Sequence, residues 1–233
     1  MKKYLVFFIL GVVMSTPTFI FLYKPNLAFA IAYKLHLIKD PIYIANHYQN
    51  SIVYHKSQDP FVDDGSIIFI GDSIVQGMLT SHVAHPSVNY GIGGDSTKGV
   101  LERMDFYKSI DNAKYVVIHV GINDLKKYSI GESIENYENI LKKIKHKRVI
   151  VVSVLPVSNK FIQNNSDYSL ERLSHFNQEI KFLAEKYSVS YFDMHKYFSD
   201  QNGYLKQIYD SGDGIHLNTA GYRAYIDSIK TII

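Results

Sequence analysis

Four short polar segments carry the residue types that acyl transfer needs. Gly71-Asp72-Ser73-Ile74 follows an apolar run. A serine at such a strand-to-helix turn is exposed, and the N-terminus of the next helix favours negative charge nearby. That suits a nucleophile and part of an oxyanion hole, and it equally suits an ordinary helix cap. Val75 stands where a G-x-S-x-G elbow has its final glycine, which excludes the α/β-hydrolase elbow. The second segment, residues 89–97 (NYGIGGDST), has glycines that can expose backbone N–H groups to an anion, or form a tight turn capped by Asp95 or Ser96. Ser96 occupies a glycine position of the dinucleotide fingerprint, and Lys98 follows Ser96 and Thr97 rather than preceding such a pair, so both phosphate-loop patterns fail. In the third, Gly121-Ile122-Asn123-Asp124, the Asn123 amide is a donor for the same cleft. In the fourth, Asp213-Gly214-Ile215-His216-Leu217-Asn218, Asp213 and His216 can form the orienting and general-base pair of a hydrolase, a pair of metal ligands, or helix-capping groups.

These segments need elements to hold them. Apolar runs at 66–70 (SIIFI), 115–120 (YVVIHV) and 148–155 (RVIVVSVL) predict strands, with shorter ones at 88–90 and 189–192. Amphipathic stretches around 97–107, 133–145, 169–187 and 219–232 predict helices. Strands apolar on both faces and alternating with helices predict an α/β fold in which helices cover a parallel sheet. Right-handed crossovers bring all strand C-termini to one edge, where sites form in such folds. Three of the polar segments follow a predicted strand, and the fourth precedes the last helix.

Together and in this order, GDSIVQG, NYGIGGDST, GIND and DGIH resemble the SGNH subgroup of the GDSL esterase/lipase family. They are similar to the blocks of small bacterial acylhydrolases and of platelet-activating-factor acetylhydrolase catalytic subunits. The resemblance covers roughly residue 66 to the C-terminus. It implies a three-layer α/β/α sandwich with a five-stranded parallel sheet. It makes Ser73 the nucleophile, His216 the general base and Asp213 its orienting partner. The oxyanion hole it implies comprises the N–H groups of Ser73 and Gly94 and the side chain of Asn123. A carboxylic ester hydrolase working through an acyl-enzyme, without metal or organic cofactor, is the expected activity. Lipid esters and acylated or acetylated surface glycans are the expected substrate classes, and residues 158–168 (SNKFIQNNSDY) form a polar insertion that could border the cleft. A non-catalytic glycan-binding module on the same fold is the alternative.

The chain has 233 residues, 46% hydrophobic and 20% charged, which excludes a disordered or fibrous protein. It has no cysteine, so disulfides, thiolate metal sites and cysteine catalysis are excluded. Lys2 and Lys3 supply two of the formal +3 charges, so the remainder carries only +1 and gives no signature of nucleic-acid binding. The basic run at 142–148 reads as a solvated helix terminus. His119, inside a predicted strand, reads as a hydrogen-bonded core residue, and His82 and His85 have no metal-ligand spacing. Residues 4–23 carry no charge and, as a helix, would reach about 30 Å, the thickness of a bilayer core. The expected organisation is therefore a membrane anchor or signal segment at 1–23, a juxtamembrane connector at 24–62 and a hydrolase domain at 63–233. The catalytic domain is expected outside the cytoplasm, either anchored through residues 4–23 or released by cleavage after Ala30.

Overall fold

The computed structural model describes residues 46–144 and 148–233. The chain divides into two compact units, Met1–Gln49 and Asn50–Ile233, and the second holds the sheet. The expected membrane segment at 4–23, the cleavage site after Ala30 and the first part of the 24–62 connector lie outside the described residues. Among those described, no helix is long and apolar enough to cross a membrane.

Five strands form one parallel sheet in the order β2-β1-β3-β4-β5. They are β1 (Ile67–Gly71), β2 (Ser87–Gly91), β3 (Tyr115–His119), β4 (Val149–Val152) and β5 (Ser190–Phe192). The expected parallel α/β architecture is borne out, and the order places a topological switch at β1 and β3. Alternate residues of the central strands enter opposite cores, as the period-2 geometry of a strand demands. Ile68, Ile70, Val116, Ile118 and Val151 join one cluster. Ile67, Phe69, Val117, Ile150 and Val152 join the other.

Helices supply the outer layers. On the first face lie α3 (Thr97–Arg103), α5 (Ile130–Lys143) and α7 (Leu170–Lys186), contributing Val100, Ile140 and Phe176 among others. On the second lie α2 (Ser73–Gln76), α8 (Met194–Phe198) and α9 (Thr219–Lys230), contributing Val75, Phe198 and Ile229. Burying each such side chain is worth about 1.5–3 kcal/mol. This is why near-continuous apolar strands were the readable feature of the sequence.

Two local expectations change. The helix expected over 97–107 stops at Arg103 and continues as a 3₁₀ turn, Met104–Phe106. The polar insertion at 158–168 contains a short helix, α6 (Asn159–Asn164), capped by Ser158, whose hydroxyl accepts from Phe161 N. It has no buried residue, so no apolar periodicity announced it. Upstream of the sheet, α1 (Asn46–Gln58) and a 3₁₀ turn (Asp59–Phe61) occupy the end of the expected connector. Short α4 (Asp124–Lys127) completes the set among the described residues.

Candidate active site

The two ends of the sequence-predicted constellation, 143 positions apart, meet. Ser73 begins α2 just beyond β1, and its Oγ lies 2.8 Å from Nε2 of His216. Nδ1 of His216 lies 2.6 Å from Oδ2 of Asp213. The other Asp213 oxygen accepts from the backbone N–H groups of His216 (2.9 Å) and Ile215 (3.0 Å) and from the Ser211 hydroxyl (3.1 Å). Partial burial works against ionisation of Asp213, but the His216 backbone, the imidazole and the Ile215 N–H outweigh it. They hold this carboxyl well below the usual carboxylate range. An ionised Asp213 on Nδ1 fixes the tautomer that leaves Nε2 to accept a proton from Ser73. The dyad is open to solvent, with the His216 and Asp213 side chains 41% and 50% exposed.

Capping and chemistry coexist in these loops. Asp72 caps α2 by accepting from Ile74 N at 3.0 Å, while Ser73 faces the histidine. Asn218, closing the fourth block, caps α9 through Gly221 N at 2.9 Å. Among the described residues, no group of three histidine or acidic side chains is placed to hold a metal ion.

The donors expected around an oxyanion sit on loops that hydrogen bonds tie to one another. Gly94 adopts φ +77°, a conformation natural to glycine, and neither its N–H nor that of Ser73 bonds to a described residue. Asn123 Nδ2 spends one hydrogen on the Asp95 carbonyl at 2.9 Å, and its amide has a second to offer. The loop is pinned on both sides of Gly94. Gln76 Oε1 accepts from Gly93 N at 2.8 Å, and Lys127 Nζ donates to Gly94 O at 3.1 Å. Sequence reasoning missed both side chains, although a signal existed. Gln76 lies three positions after Ser73 and Lys127 four after Asn123, one helical turn from each.

A buried polar network supports these loops from behind. Arg103, 1% exposed, donates through Nε to Asp95 Oδ2 (2.8 Å), through one terminal nitrogen to the Gly71 carbonyl (3.0 Å) and through the other to Tyr107 Oη (2.8 Å). It thereby ties the nucleophile loop to the Gly94 loop. Tyr107 Oη lies 3.0 Å from Nδ1 of His55, and burial, aided by the Arg103 charge, lowers that imidazole to about 4. A neutral His55 can accept a hydrogen bond from the tyrosine hydroxyl at Nδ1. Asp59, also buried, accepts from Tyr90 Oη (2.8 Å) and from Lys108 N (2.7 Å). Both His55 and Asp59 come from the expected connector, in which no catalytic constellation was visible.

His119 proves to be the core residue expected: its Nδ1 is 2.6 Å from Tyr225 Oη and the two rings stack. Burial lowers it to about 3. His82 and His85 are exposed and take no part in this constellation.

The GDSL-like lipase/acylhydrolase family model matches residues 69–224. The chain belongs to that family. As an acylhydrolase it is a carboxylic ester hydrolase. It is 25% identical over 178 residues to the platelet-activating factor acetylhydrolase IB subunit alpha1 of Rattus norvegicus, a match covering 72% of this chain and 74% of the relative. A solved structure from Streptococcus pneumonia, described as that of a platelet activating factor, is 27% identical with TM-score 0.75. It is matched over 98% of its length and 87% of this acylhydrolase. The lipase/acylhydrolase of Enterococcus faecalis shares the fold at TM-score 0.63 and 20% identity, over 71% of this chain and 93% of its own.

Proposed function

We propose that this acylhydrolase cleaves esters of short-chain carboxylic acids by a Ser73-His216-Asp213 triad. The observation that carries the reading is the unbroken hydrogen-bonded line from Ser73 Oγ through His216 to an ionised Asp213. His216 takes the Ser73 proton as Oγ attacks the ester carbonyl carbon. The carbonyl oxygen, now an anion, is held by the N–H groups of Ser73 and Gly94 and by Asn123. On collapse the bond to the alcohol oxygen breaks, and the alcohol leaves with the proton from His216. Water, deprotonated by the same histidine, then releases the acid and restores Ser73.

A small apolar cavity supports a short acyl group. It measures about 10 Å³ and is lined by Ile74, Ile122 and Ile215, immediate neighbours of Ser73, Asn123 and His216, together with residues 154–157 and His119. That is about one water-sized sphere, enough for a methyl group and too little for a long chain without rearrangement.

The uncharged stretch at 4–23 behind Lys2 and Lys3 supports an enzyme anchored in, or exported across, a membrane. One experiment addresses both readings: labelling of fractionated cells with a fluorophosphonate probe, alongside p-nitrophenyl acetate hydrolysis by the purified protein. Ser73→Ala is expected to abolish labelling and hydrolysis, with the wild-type label in the membrane or exported fraction. Unchanged hydrolysis by Ser73→Ala would overturn the triad, and a label confined to the cytosol would overturn the location.

A further inference from the structure

Beside the dyad lies a second, much larger space. A groove of about 760 Å³ runs between α6 with its flanks and residues 200–214. Its volume falls within the range of about 300–1,000 Å³ common for small-molecule sites. Its walls include Asp213 and Gly214, so it reaches the residues that orient His216. The two walls are tied together: Ser158 N donates to Gly214 O at 2.8 Å, and Leu205 N donates to Val157 O at 3.0 Å. Gly214 sits at φ +84°, and any side chain there would meet Ser158 and Phe161. The groove is therefore fixed relative to the histidine.

The lining has a distinct chemistry. Asn159, Asn164, Asn202 and Gln207 contribute primary amides, each both donor and acceptor, and Phe161 and Tyr204 contribute rings. Asp200 and Asp210 each use Oδ1 to hold backbone N–H groups of their own loop, at 2.8–3.0 Å. With Asp213 they make three carboxylates against one lysine, Lys160. A phosphate-bearing headgroup would meet the wrong sign of charge. An alkyl chain would bury itself among groups that lose water without replacement partners. A neutral molecule with many hydroxyls meets neither penalty: amides and carboxylates pair with hydroxyls, and rings cover the apolar face of a sugar.

We infer that this groove is the subsite for the alcohol half of the ester, and that this alcohol is a neutral sugar chain. The inference rests on the triad reading above. In that mechanism His216 protonates the departing oxygen, so the alcohol must leave on the histidine side. The groove is walled by Asp213, which holds His216, whereas the small apolar cavity takes the acyl group. The balanced step is cleavage of the acyl–oxygen bond, with the sugar hydroxyl leaving on the proton from Nε2 and the acyl group remaining on Ser73 Oγ.

The test uses the full chain and three acetyl esters: acetylated cello-oligosaccharides, an alkyl-acetyl-glycerophosphocholine and p-nitrophenyl acetate. The oligosaccharide ester is expected to show the highest kcat/KM of the two natural-type esters. Unacetylated cello-oligosaccharide is expected to inhibit p-nitrophenyl acetate hydrolysis competitively. Tyr204→Ala with Gln207→Ala should raise KM for the oligosaccharide ester about tenfold, as loss of a ring contact and a hydrogen bond implies. The same variant should leave p-nitrophenyl acetate hydrolysis and the thermal midpoint unchanged. Preference for the phosphocholine ester, or an unaltered KM together with absent inhibition, would overturn the sugar subsite. Failure of the wild type to hydrolyse p-nitrophenyl acetate would instead overturn the triad reading beneath it.

Discussion

At the residue scale, Asn123 sets the clearest expectation. Its amide holds the Asp95 carbonyl with one hydrogen, which shapes the Gly94 loop, and in the proposed mechanism the other meets the substrate oxygen. Asn123→Ala should lower kcat by about 10²–10³ with little change in KM, as for loss of one oxyanion donor. Steady-state kinetics on p-nitrophenyl acetate would check this. An equal loss arising wholly in KM would instead point to ground-state binding. Asp72, beneath the nucleophile, has a different role. Burial, reinforced by the nearby Asp95 and Asp124 charges, raises its carboxyl to about 7 although Ile74 N stabilises the anion. It caps α2 with a carboxyl that holds its proton more tightly than an exposed one.

At the element scale, the loops hold their shape because strand ends approach closely. Gly71 ends β1 against β3, where an added Cβ would press on the His119 carbonyl and the Val75 side chain. His119 O cannot move without moving β3. Gly71→Ala should therefore lower the thermal midpoint and reduce kcat, because the displaced turn carries Ser73. Circular dichroism melting beside kinetics would show both, and a variant as stable and active as wild type would refute the close-packing argument. The elements that the sequence announced were those with a strong pattern. β1, β3 and β4 are apolar on both faces, and the helices α5, α7 and α9 show one apolar face. The site blocks were legible because glycines and polar residues interrupt that pattern just after the strands. α6 escaped notice because nothing in NKFIQN is buried. His55 and Asp59 escaped because their partners Tyr107, Lys108 and Ser109 lie about 50 positions away, beyond any local pattern.

At the scale of the whole molecule, the core places three carboxylates, Asp72, Asp95 and Asp124, around the ends of the central strands with Arg103 as the paired cation. Burial raises Asp124 to about 6, even though Thr97 and Ser133 hydrogen bonds favour its anion. Asp72 and Asp124 thus bind protons more tightly folded than unfolded, and their contribution to stability falls as pH rises from about 4 to 6–7. His55 and His119, held neutral by burial, work in the opposite direction: unfolding lets them take up protons, so their contribution grows up to about 6.5. The opposed contributions flatten the wild-type profile. Asp72→Asn keeps an oxygen for Ile74 N and removes one acid. Relative to wild type it should gain stability steadily between about pH 4 and 7, measurable as a growing difference in urea midpoints. A difference independent of pH would show that Asp72 does not titrate in that window.

The Arg103 network also bears on how portable this catalyst is. The family model matches from residue 69, yet Tyr107 and Tyr90, beside Arg103 and behind the Gly94 loop, complete their hydrogen bonding with side chains at 55 and 59. The segment matched by the family model is thus shorter than the hydrogen-bonded unit that surrounds it. A recombination event or an engineered fusion cut at residue 69 would carry Ser73, Asp213 and His216. It would leave behind the partners of Tyr90 and Tyr107, and so deliver an intact set of catalytic parts on an unfinished chassis.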